Sequence, residues 1–254
     1  MKKFFLSLLV VIVLGGIAVG FVAKRLVDLK NQRDQAAQSE TRKDIKITII
    51  EGKRREEIAA QLATAGICGY DDFMAASQNL EGALFPDTYR FFANASAADV
   101  VAVMNQDYQT RTRGLSVTRD QLILASIVER EALNDTDRPI IAGVYENRLQ
   151  AGMFLGSDPT VQYAKDSQIY ALSVTPQTFK FWQPITQADY TSVVSPYNTY
   201  LNKGLPAGPL ANPGLKSIEA AQNPGTTDAL YFLYKNGQLL LSTTLQEHEA
   251  QAGY

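Results

Sequence analysis

The chain has 254 residues, of which 46% are hydrophobic and 20% charged, and its formal net charge is -2. This length and composition suffice for one or two globular domains. The low net charge argues against a nucleic-acid partner, because such binding usually requires a clustered basic surface. A single cysteine, Cys68, excludes an intramolecular disulfide, and with a single histidine, His248, a zinc site of the usual Cys/His kind is not expected. The sequence therefore predicts neither a metal nor a cofactor.

The amino-terminal region differs from this average composition. Residues 4–23 contain no charged side chain, whereas two lysines precede the stretch and a Lys-Arg pair follows it. As a helix this stretch would cover about 30 Å, which is the thickness of the hydrocarbon core of a bilayer. We therefore predict a transmembrane anchor within residues 1–25. A cleaved signal peptide is the alternative, although its apolar core is usually shorter.

A charged stalk over residues 26–43 is followed by a small βα unit over residues 44–80. The alternating isoleucines from Ile45 to Ile49 predict a half-buried strand. Apolar residues at helical spacing from Ile58 to Ala63 predict a helix that ends near Gly66. From its pattern alone, a short unit of this kind is a generic packing element.

The remaining residues, 81–254, mix helical and alternating patterns, which places the whole chain in the α+β class. Residues 165–214 are rich in Pro, Tyr, Thr and Asn, which favours long loops lining a cleft. Asn236-Gly237 between two apolar runs predicts a β-hairpin. An ordered loop is expected over residues 86–92, and helices are expected over residues 71–78, 96–113, 118–131 and 138–150.

The segment LILASIVERE from Leu122 to Glu131 carries the first candidate for catalysis. A helix that is apolar on every side should be buried, and Thr118 with Gln121 predicts a capping box at its start. A carboxyl group at Glu129 would be poorly hydrated there, with no cation among its helical neighbours, so we expect a raised pKa and a protonated acid. Glu131 lies about 200° further around the helix and is expected to be structural. The alternative is that Glu-Arg-Glu is only the solvated end of a buried helix.

Several sequence blocks, in this order and spacing, closely resemble the endolytic murein transglycosylases, which are membrane-anchored lytic enzymes of bacterial cell-wall synthesis. The resemblance covers roughly residues 44 to 250. It identifies residues 44–80 as similar to a LysM-like subdomain and residues 81–254 as similar to the family's catalytic domain. LysM modules bind glycans that contain N-acetylglucosamine, so residues 44–80 are either a glycan-binding module or a generic packing element. The blocks are LFPDTYRF from Leu84, IAGVYENRL from Ile141, SDPTV from Ser157, YNTY from Tyr197, and GLPAGPLANPG from Gly204.

The resemblance implies a lyase that cuts nascent glycan strands internally between N-acetylmuramic acid and N-acetylglucosamine and so ends their elongation. Its products would carry 1,6-anhydro-N-acetylmuramic acid ends, and the family's catalytic glutamate would be Glu129. The resemblance also implies a single-pass protein of the cell membrane, with a cytoplasmic amino terminus and an extracytoplasmic catalytic domain. Its partners would be peptidoglycan strands and peptidoglycan synthases.

Other polar residues are candidates for binding or support. Asn147 and Arg148 are expected to support the site, and Arg148 could hold a carboxylate such as Asp158 bidentately. Four residues predicted to lie in loops carry groups suited to sugar hydroxyls and N-acetyl groups: Ser157, Asp158, Tyr197 and Asn198.

Two other functions stay open. One is a hydrolytic muramidase with Asp158 or Glu146 as its second carboxylate, and the other is a non-catalytic glycan-binding scaffold.

Overall fold

The computed structural model describes residues 24–30, 43–173 and 175–253. The predicted anchor and stalk therefore lie almost entirely outside the described residues, although residues 24–30 are helical. Within the described part of the chain, no helix is both long and apolar enough to cross a membrane. The chain divides into two compact units, residues 1–44 and 45–254. The second unit contains most of the described residues.

The first half of this unit contains two paired strands and three helices. In the predicted first strand, Ile47 and Ile49 are buried and the residues between and after them are exposed, as the alternating sequence predicted. The predicted loop over residues 86–92 is instead the second strand, because Tyr89 and Phe91 alternate with exposed neighbours and are buried. The elements are β1 (Asp44–Thr48), α1 (Arg55–Thr64), α2 (Tyr70–Ala76), β2 (Thr88–Phe92) and α3 (Ala97–Arg111).

The second half contains six α-helices, a short 3₁₀ helix over Pro176–Thr178 and a hairpin among the described residues. The predicted hairpin is confirmed, since its strands pair antiparallel and both Asn236 (φ 53°) and Gly237 (φ 77°) adopt the left-handed conformation of a tight turn. The elements are α4 (Arg119–Glu131), α5 (Arg138–Gln150), α6 (Asp158–Tyr170), α7 (Asp189–Ser192), α8 (Leu215–Gln222), β3 (Tyr231–Lys235), β4 (Gln238–Ser242) and α9 (Leu245–Ala252).

Helix α4 lies at the centre of this half. The capping box between Thr118 and Gln121 is confirmed, and every residue from Ile123 to Val128 is buried. The hydroxyl of buried Ser126 accepts a 2.9 Å hydrogen bond from the backbone N–H of Leu210. The helix is therefore enclosed by α5, α8 and the loop before α8, as its apolar sequence predicted.

One helix begins shortly before the region predicted to form long loops, residues 165–214, and most of that region beyond Tyr170 is irregular, as its composition predicted. Asp158 and the residues up to Tyr170 form α6, whose amino-terminal cap is Ser157 and whose first turn contains Pro159. Proline is well tolerated there because its missing N–H would have no partner in the helix. The prediction of a loop for Ser157 and Asp158 is therefore wrong, and both side chains are instead placed by a helix terminus.

Asn212 joins the two halves of the unit. Its side-chain oxygen accepts a bond from the Leu84 N–H at 2.9 Å, and its amide group donates to the Lys53 carbonyl at 3.0 Å and to Glu81 at 2.8 Å. The Gly52 N–H donates to the Asn212 carbonyl at 2.9 Å. Asn212 is fully buried, and all of these partners come from other segments. Its bonds therefore fix the loop before α8 against the βα unit.

We expect Asn212→Ala to lower the free energy of unfolding by roughly 2–4 kcal/mol, because several buried polar groups lose their partner together. The matched control is Asn223→Ala, since Asn223 is exposed and should change stability by less than about 0.5 kcal/mol. Urea unfolding followed by circular dichroism measures both variants. Equal stability of the two variants would show that Asn212 does not join the halves.

Candidate functional site

Glu129 lies in a buried ion pair at the end of α4. Its Oε1 is 3.0 Å from Nη1 of Arg138, and the two side chains are only 6% and 9% exposed. Its Oε2 accepts a 2.9 Å hydrogen bond from the backbone N–H of Gly214. The expectation that no cation stands beside Glu129 is wrong, because Arg138 comes from the start of the next helix and not from α4 itself.

Arg138 connects this carboxylate to two further segments. Its Nε donates to Asp135 at 3.0 Å, and its Nη1 also donates to the Ser217 hydroxyl in α8 at 2.6 Å. The guanidinium therefore ties together the end of α4, the loop that follows it, and the start of α8. Such a buried pair stabilises a geometry chiefly because breaking it leaves an uncompensated charge.

Glu51, from the βα unit, lies close to Gly214 and Glu129. A methyl group built on Gly214 would lie 1.7 Å from Oε1 of Glu51, so only glycine allows this close approach. Burial raises the pKa of Glu51, and the neighbouring charge of Glu129 raises it further. Three acidic groups and one arginine thus meet on this side of α4, where Asp135 is the third acid.

Glu131 faces the opposite side of α4 and is half-buried in the wall of a cavity. Its Oε1 accepts hydrogen bonds from the Tyr145 hydroxyl at 2.7 Å and from the Ser157 hydroxyl at 2.8 Å. Burial raises the pKa of Glu131, and the negative charge of Asp158 adds to this, whereas the two hydroxyls and Arg148 act in the opposite direction. The expectation that the two glutamates do not share a face is confirmed, but Glu131 is not simply structural, because it lines the cavity.

The cavity beside Glu131 has a volume of about 460 Å³, within the range of ligand-binding clefts. Aromatic rings from β3 form one wall, and the start of α9 contributes His248 and Leu245. His248 stacks on Tyr231 with 5.4 Å between ring centroids, and burial followed by the charge of Arg148 lowers the pKa of His248. The lining is Glu131, Tyr145, Arg148, Gly156, Asp158, Tyr190, Tyr200, Tyr231, Phe232, Leu233, Tyr234, Leu245 and His248.

Asp158 lies in the same cavity and is held by two tyrosines. The Tyr200 hydroxyl donates to Oδ1 at 2.7 Å and the Tyr190 hydroxyl donates to Oδ2 at 3.4 Å. The two rings stack, with 4.3 Å between their centroids. Burial and the bond to Asp158 raise the pKa of Tyr200, so this phenol keeps its proton and remains a donor.

The other predicted contact residues have different positions. Ser157 is fully buried and bonds to Glu131, so it positions a carboxyl group and does not face an open cleft. Asn198 is also fully buried, and its amide donates to the carbonyls of Tyr190 and Val193 at 3.0 and 2.9 Å. The geometry of Asn198 is therefore contrary to the predicted sugar contact. Its side chain instead holds the segment over residues 190–200, which we call the tyrosine loop.

Tyr197 lies within this loop. Its ring lies 4.6 Å from the ring of Tyr163 and belongs to the hydrophobic core around α4 and α6. Glu146 accepts a bond from Gln150 on the same helix and does not line the cavity. Of the two candidates for a second carboxylate, only Asp158 shares a cavity with a glutamate of α4.

Asn147 and Arg148 support the hairpin that forms one wall. The Asn147 amide donates to the carbonyls of Thr227 and Ala229 at 2.8 and 3.0 Å. Arg148 donates to the Leu155 carbonyl at 2.6 Å and also to the Leu230 carbonyl. These bonds agree with the predicted supporting role, which stays a prediction. The predicted bidentate pair of Arg148 with Asp158 is wrong, since the guanidinium donates to backbone carbonyls.

The sequence prediction missed Glu131, Tyr145 and Tyr200 as residues of one site. Tyr145 and Tyr200 stood inside the blocks that carried the family resemblance, which was a usable signal. Their contact with the end of α4 depends on how α5 and the tyrosine loop fold around that helix, and no local pattern contains this information.

Comparison with known proteins supplies independent information. The sequence model of the YceG-like family matches residues 23–253. The endolytic murein transglycosylase of Bacillus subtilis (strain 168) is 39% identical over 183 residues, which cover 66% of this chain and 46% of that protein. The endolytic murein transglycosylase of Streptococcus pneumoniae (strain D39) is 31% identical over 184 residues, covering 68% of this chain and 32% of that protein. The chain thus spans less than half the length of these curated relatives.

Solved structures include a fold of the same kind. The crystal structure of a yceG-like protein from Listeria monocytogenes superposes with a TM-score of 0.70 at 30% identity and covers 84% of this chain and 77% of that one. Since sequence and fold agree over nearly the whole of the described second unit, the chain belongs to the YceG-like family.

Proposed function

We propose that this chain is a peptidoglycan lytic transglycosylase that cleaves glycan strands internally and leaves 1,6-anhydro-N-acetylmuramic acid ends. The observation that carries the proposal is a half-buried glutamic acid, Glu131, with a raised pKa in the wall of a cavity rich in aromatic residues. Tyrosine rings provide amphipathic surfaces on which the apolar faces of sugars can pack. Two relatives carry the name endolytic murein transglycosylase, which indicates the substrate class.

One carboxyl group is sufficient for this reaction. A protonated Glu131 gives its proton to the oxygen that links N-acetylmuramic acid to the next sugar, and the bond from C1 to that oxygen breaks. The C6 hydroxyl of the same N-acetylmuramic acid bonds to C1 and returns its proton to Glu131. An internal hydroxyl can act at an effective molarity on the order of 10⁵ M or more, so no water enters the product.

The geometry favours Glu131 over Glu129 as the acid. Glu129 does not line the cavity, and its two carboxyl oxygens are bonded to Arg138 and to a backbone N–H. Glu131 lines the cavity, and its two partners are neutral hydroxyls. The assignment of catalysis to Glu129 stays a prediction from sequence, which the paired variants below test directly.

The products decide between lyase and hydrolase. We expect the full-length protein to release fragments from glycan strands that are lighter by one water than hydrolysed fragments. Digestion in ¹⁸O-labelled water followed by mass spectrometry measures this difference. Incorporation of the label into most new ends would contradict the lyase and favour a muramidase in which Asp158 is the second carboxylate, because Asp158 shares the cavity with Glu131. Binding of strands without any turnover would favour the non-catalytic scaffold.

Two amide substitutions separate the roles of the glutamates. Glu131→Gln keeps the shape of the side chain but cannot transfer a proton, so we expect kcat to fall by about 10²–10⁴-fold with little change in Tm. Glu129→Gln removes the charge that compensates Arg138, so we expect stability to fall by roughly 1–3 kcal/mol. We expect its kcat to fall less than that of Glu131→Gln, because the folded protein keeps its proton donor while the position of the end of α4 is less well fixed. Steady-state kinetics and thermal unfolding of the same preparations measure both effects. An inactive but folded Glu129→Gln beside an active Glu131→Gln would return the acid role to Glu129.

Residues 4–23 are proposed to anchor the chain in the cell membrane, with the amino terminus in the cytoplasm and the second unit outside. The support is the absence of charge in this stretch and the extracytoplasmic location of peptidoglycan. We expect the full-length protein to stay in the membrane pellet after carbonate extraction and to begin at Met1. A soluble mature protein that begins near Phe21 would show cleavage of a signal peptide instead.

The βα unit and the partners complete the proposal. The LysM-like reading of residues 44–80 is supported by the βα order of β1, α1 and α2, and it would give the enzyme a second contact with glycan. Peptidoglycan synthases are proposed partners, since an enzyme that ends elongation must reach strands while they are being made.

A further inference from the structure

Asp158 is placed to interact with the same sugar as Glu131. It is exposed in the first turn of α6, directly after Ser157, whose hydroxyl bonds to Glu131. A carboxylate at the amino terminus of a helix is stabilised by the helix dipole. Because Tyr200 and Tyr190 donate one bond to each of its oxygens, the orientation of this carboxylate is fixed while lone pairs remain available.

The proposed substrate carries a group that such a carboxylate can recognise. N-acetylmuramic acid has an acetamido group on C2, and the carbonyl oxygen of an acetamido group can bond to C1 of its own sugar when the leaving group departs. The resulting five-membered oxazolinium ring carries a positive charge that is shared with the nitrogen. An anion that accepts a hydrogen bond from this N–H stabilises the charge as it develops.

We propose that Asp158 accepts a hydrogen bond from the acetamido N–H of the N-acetylmuramic acid whose bond is cleaved, and that it stabilises the positive charge formed there. This inference rests on the proposed function. Glu131 protonates the glycosidic oxygen, the bond from C1 to that oxygen breaks, and the acetamido oxygen bonds to C1. The C6 hydroxyl then bonds to C1, the bond from the acetamido oxygen to C1 breaks, and the C6 hydroxyl proton passes to Glu131. The acetamido group is restored and no further reactant is needed.

The surroundings of Asp158 favour this role over that of a nucleophile. Two phenol donors reduce the electron density on both carboxylate oxygens, which weakens an attack on carbon but leaves hydrogen bonding possible. Arg148 also lines the cavity, and its guanidinium donates to the backbone carbonyls of Leu155 and Leu230. The other ionisable groups lining the cavity are tyrosines, His248 and Glu131.

Kinetics of Asp158→Asn test the proposal in the full-length protein. We expect kcat to fall by about 10²–10³-fold with little change in KM, because the interaction strengthens only in the transition state. Glu146→Gln is the control, since Glu146 is a carboxylate outside the cavity, and it should keep wild-type kcat and KM. A rise in KM with unchanged kcat would overturn the proposal, because Asp158 would then bind the sugar equally well before and during the reaction.

The pH profile provides a readout that a merely structural residue would not move. The charge of Asp158 raises the pKa of Glu131, so its removal lowers that pKa. Activity requires protonated Glu131, and the alkaline limb of kcat/KM should therefore move to lower pH in Asp158→Asn.

Tyr200→Phe keeps the Asp158 carboxylate but removes one of the hydrogen bonds that orient it, so we expect a smaller loss of kcat. This variant tests the proposal even if Asp158→Asn fails to fold. An unmoved alkaline limb in folded Asp158→Asn, or no loss of kcat in Tyr200→Phe, would contradict the proposal.

Substrates with altered acyl groups test the chemistry of the acetamido group itself. Glycan strands are deacetylated and then acylated with acetyl, fluoroacetyl or difluoroacetyl groups. Each fluorine makes the carbonyl oxygen a weaker nucleophile, so we expect wild-type kcat to fall along this series. Rates that do not depend on fluorination overturn the inference while anhydro ends still support the lyase, whereas labelled oxygen in wild-type products overturns the proposed function itself.

Discussion

The ion pair between Glu129 and Arg138 is the interaction on which the geometry of the site depends. Arg138 also bonds to Asp135 and Ser217, so one guanidinium joins α4, α5 and α8 at a single point. Glu131 lies two residues beyond the pair, and its direction into the cavity follows from the position of the end of α4. The Gly214 N–H donates to Glu129, so the loop held by Asn212 is also fixed against the end of α4.

The protein gives two nearby carboxyl groups opposite surroundings. Glu129 has a cation and a backbone N–H, whereas Glu131 has two neutral hydroxyls and a half-buried position. Different surroundings can give two carboxyl groups of one helix different tasks. Helical geometry makes the division possible here, because residues two positions apart face different sides of one helix.

The cavity is assembled from segments that are distant in sequence and held by backbone bonds. Asn147 and Arg148 bind carbonyls on the chain leading to β3, so the aromatic wall has a fixed distance from α5. Asn198 does the same for the tyrosine loop around Asp158. These polar residues therefore fix the positions of the cavity walls, and this explains why Asn198, a predicted contact residue, is fully buried.

The sequence by itself determined the buried central helix, its capping box, the hairpin turn and the α+β class, because each depends on local periodicity or local turn chemistry. It also placed the functional blocks at the end of α4 and around residues 141–214. Only the tertiary structure decided that Glu129 pairs with a cation, Arg138, and that Glu131 lines the cavity. Arg138 and Tyr145 lie 9 and 14 residues beyond their respective partners and reach them through the packing of α5 against α4. The charge environment of a carboxyl group is set by such neighbours in space, and a helical pattern contains only its neighbours along the helix.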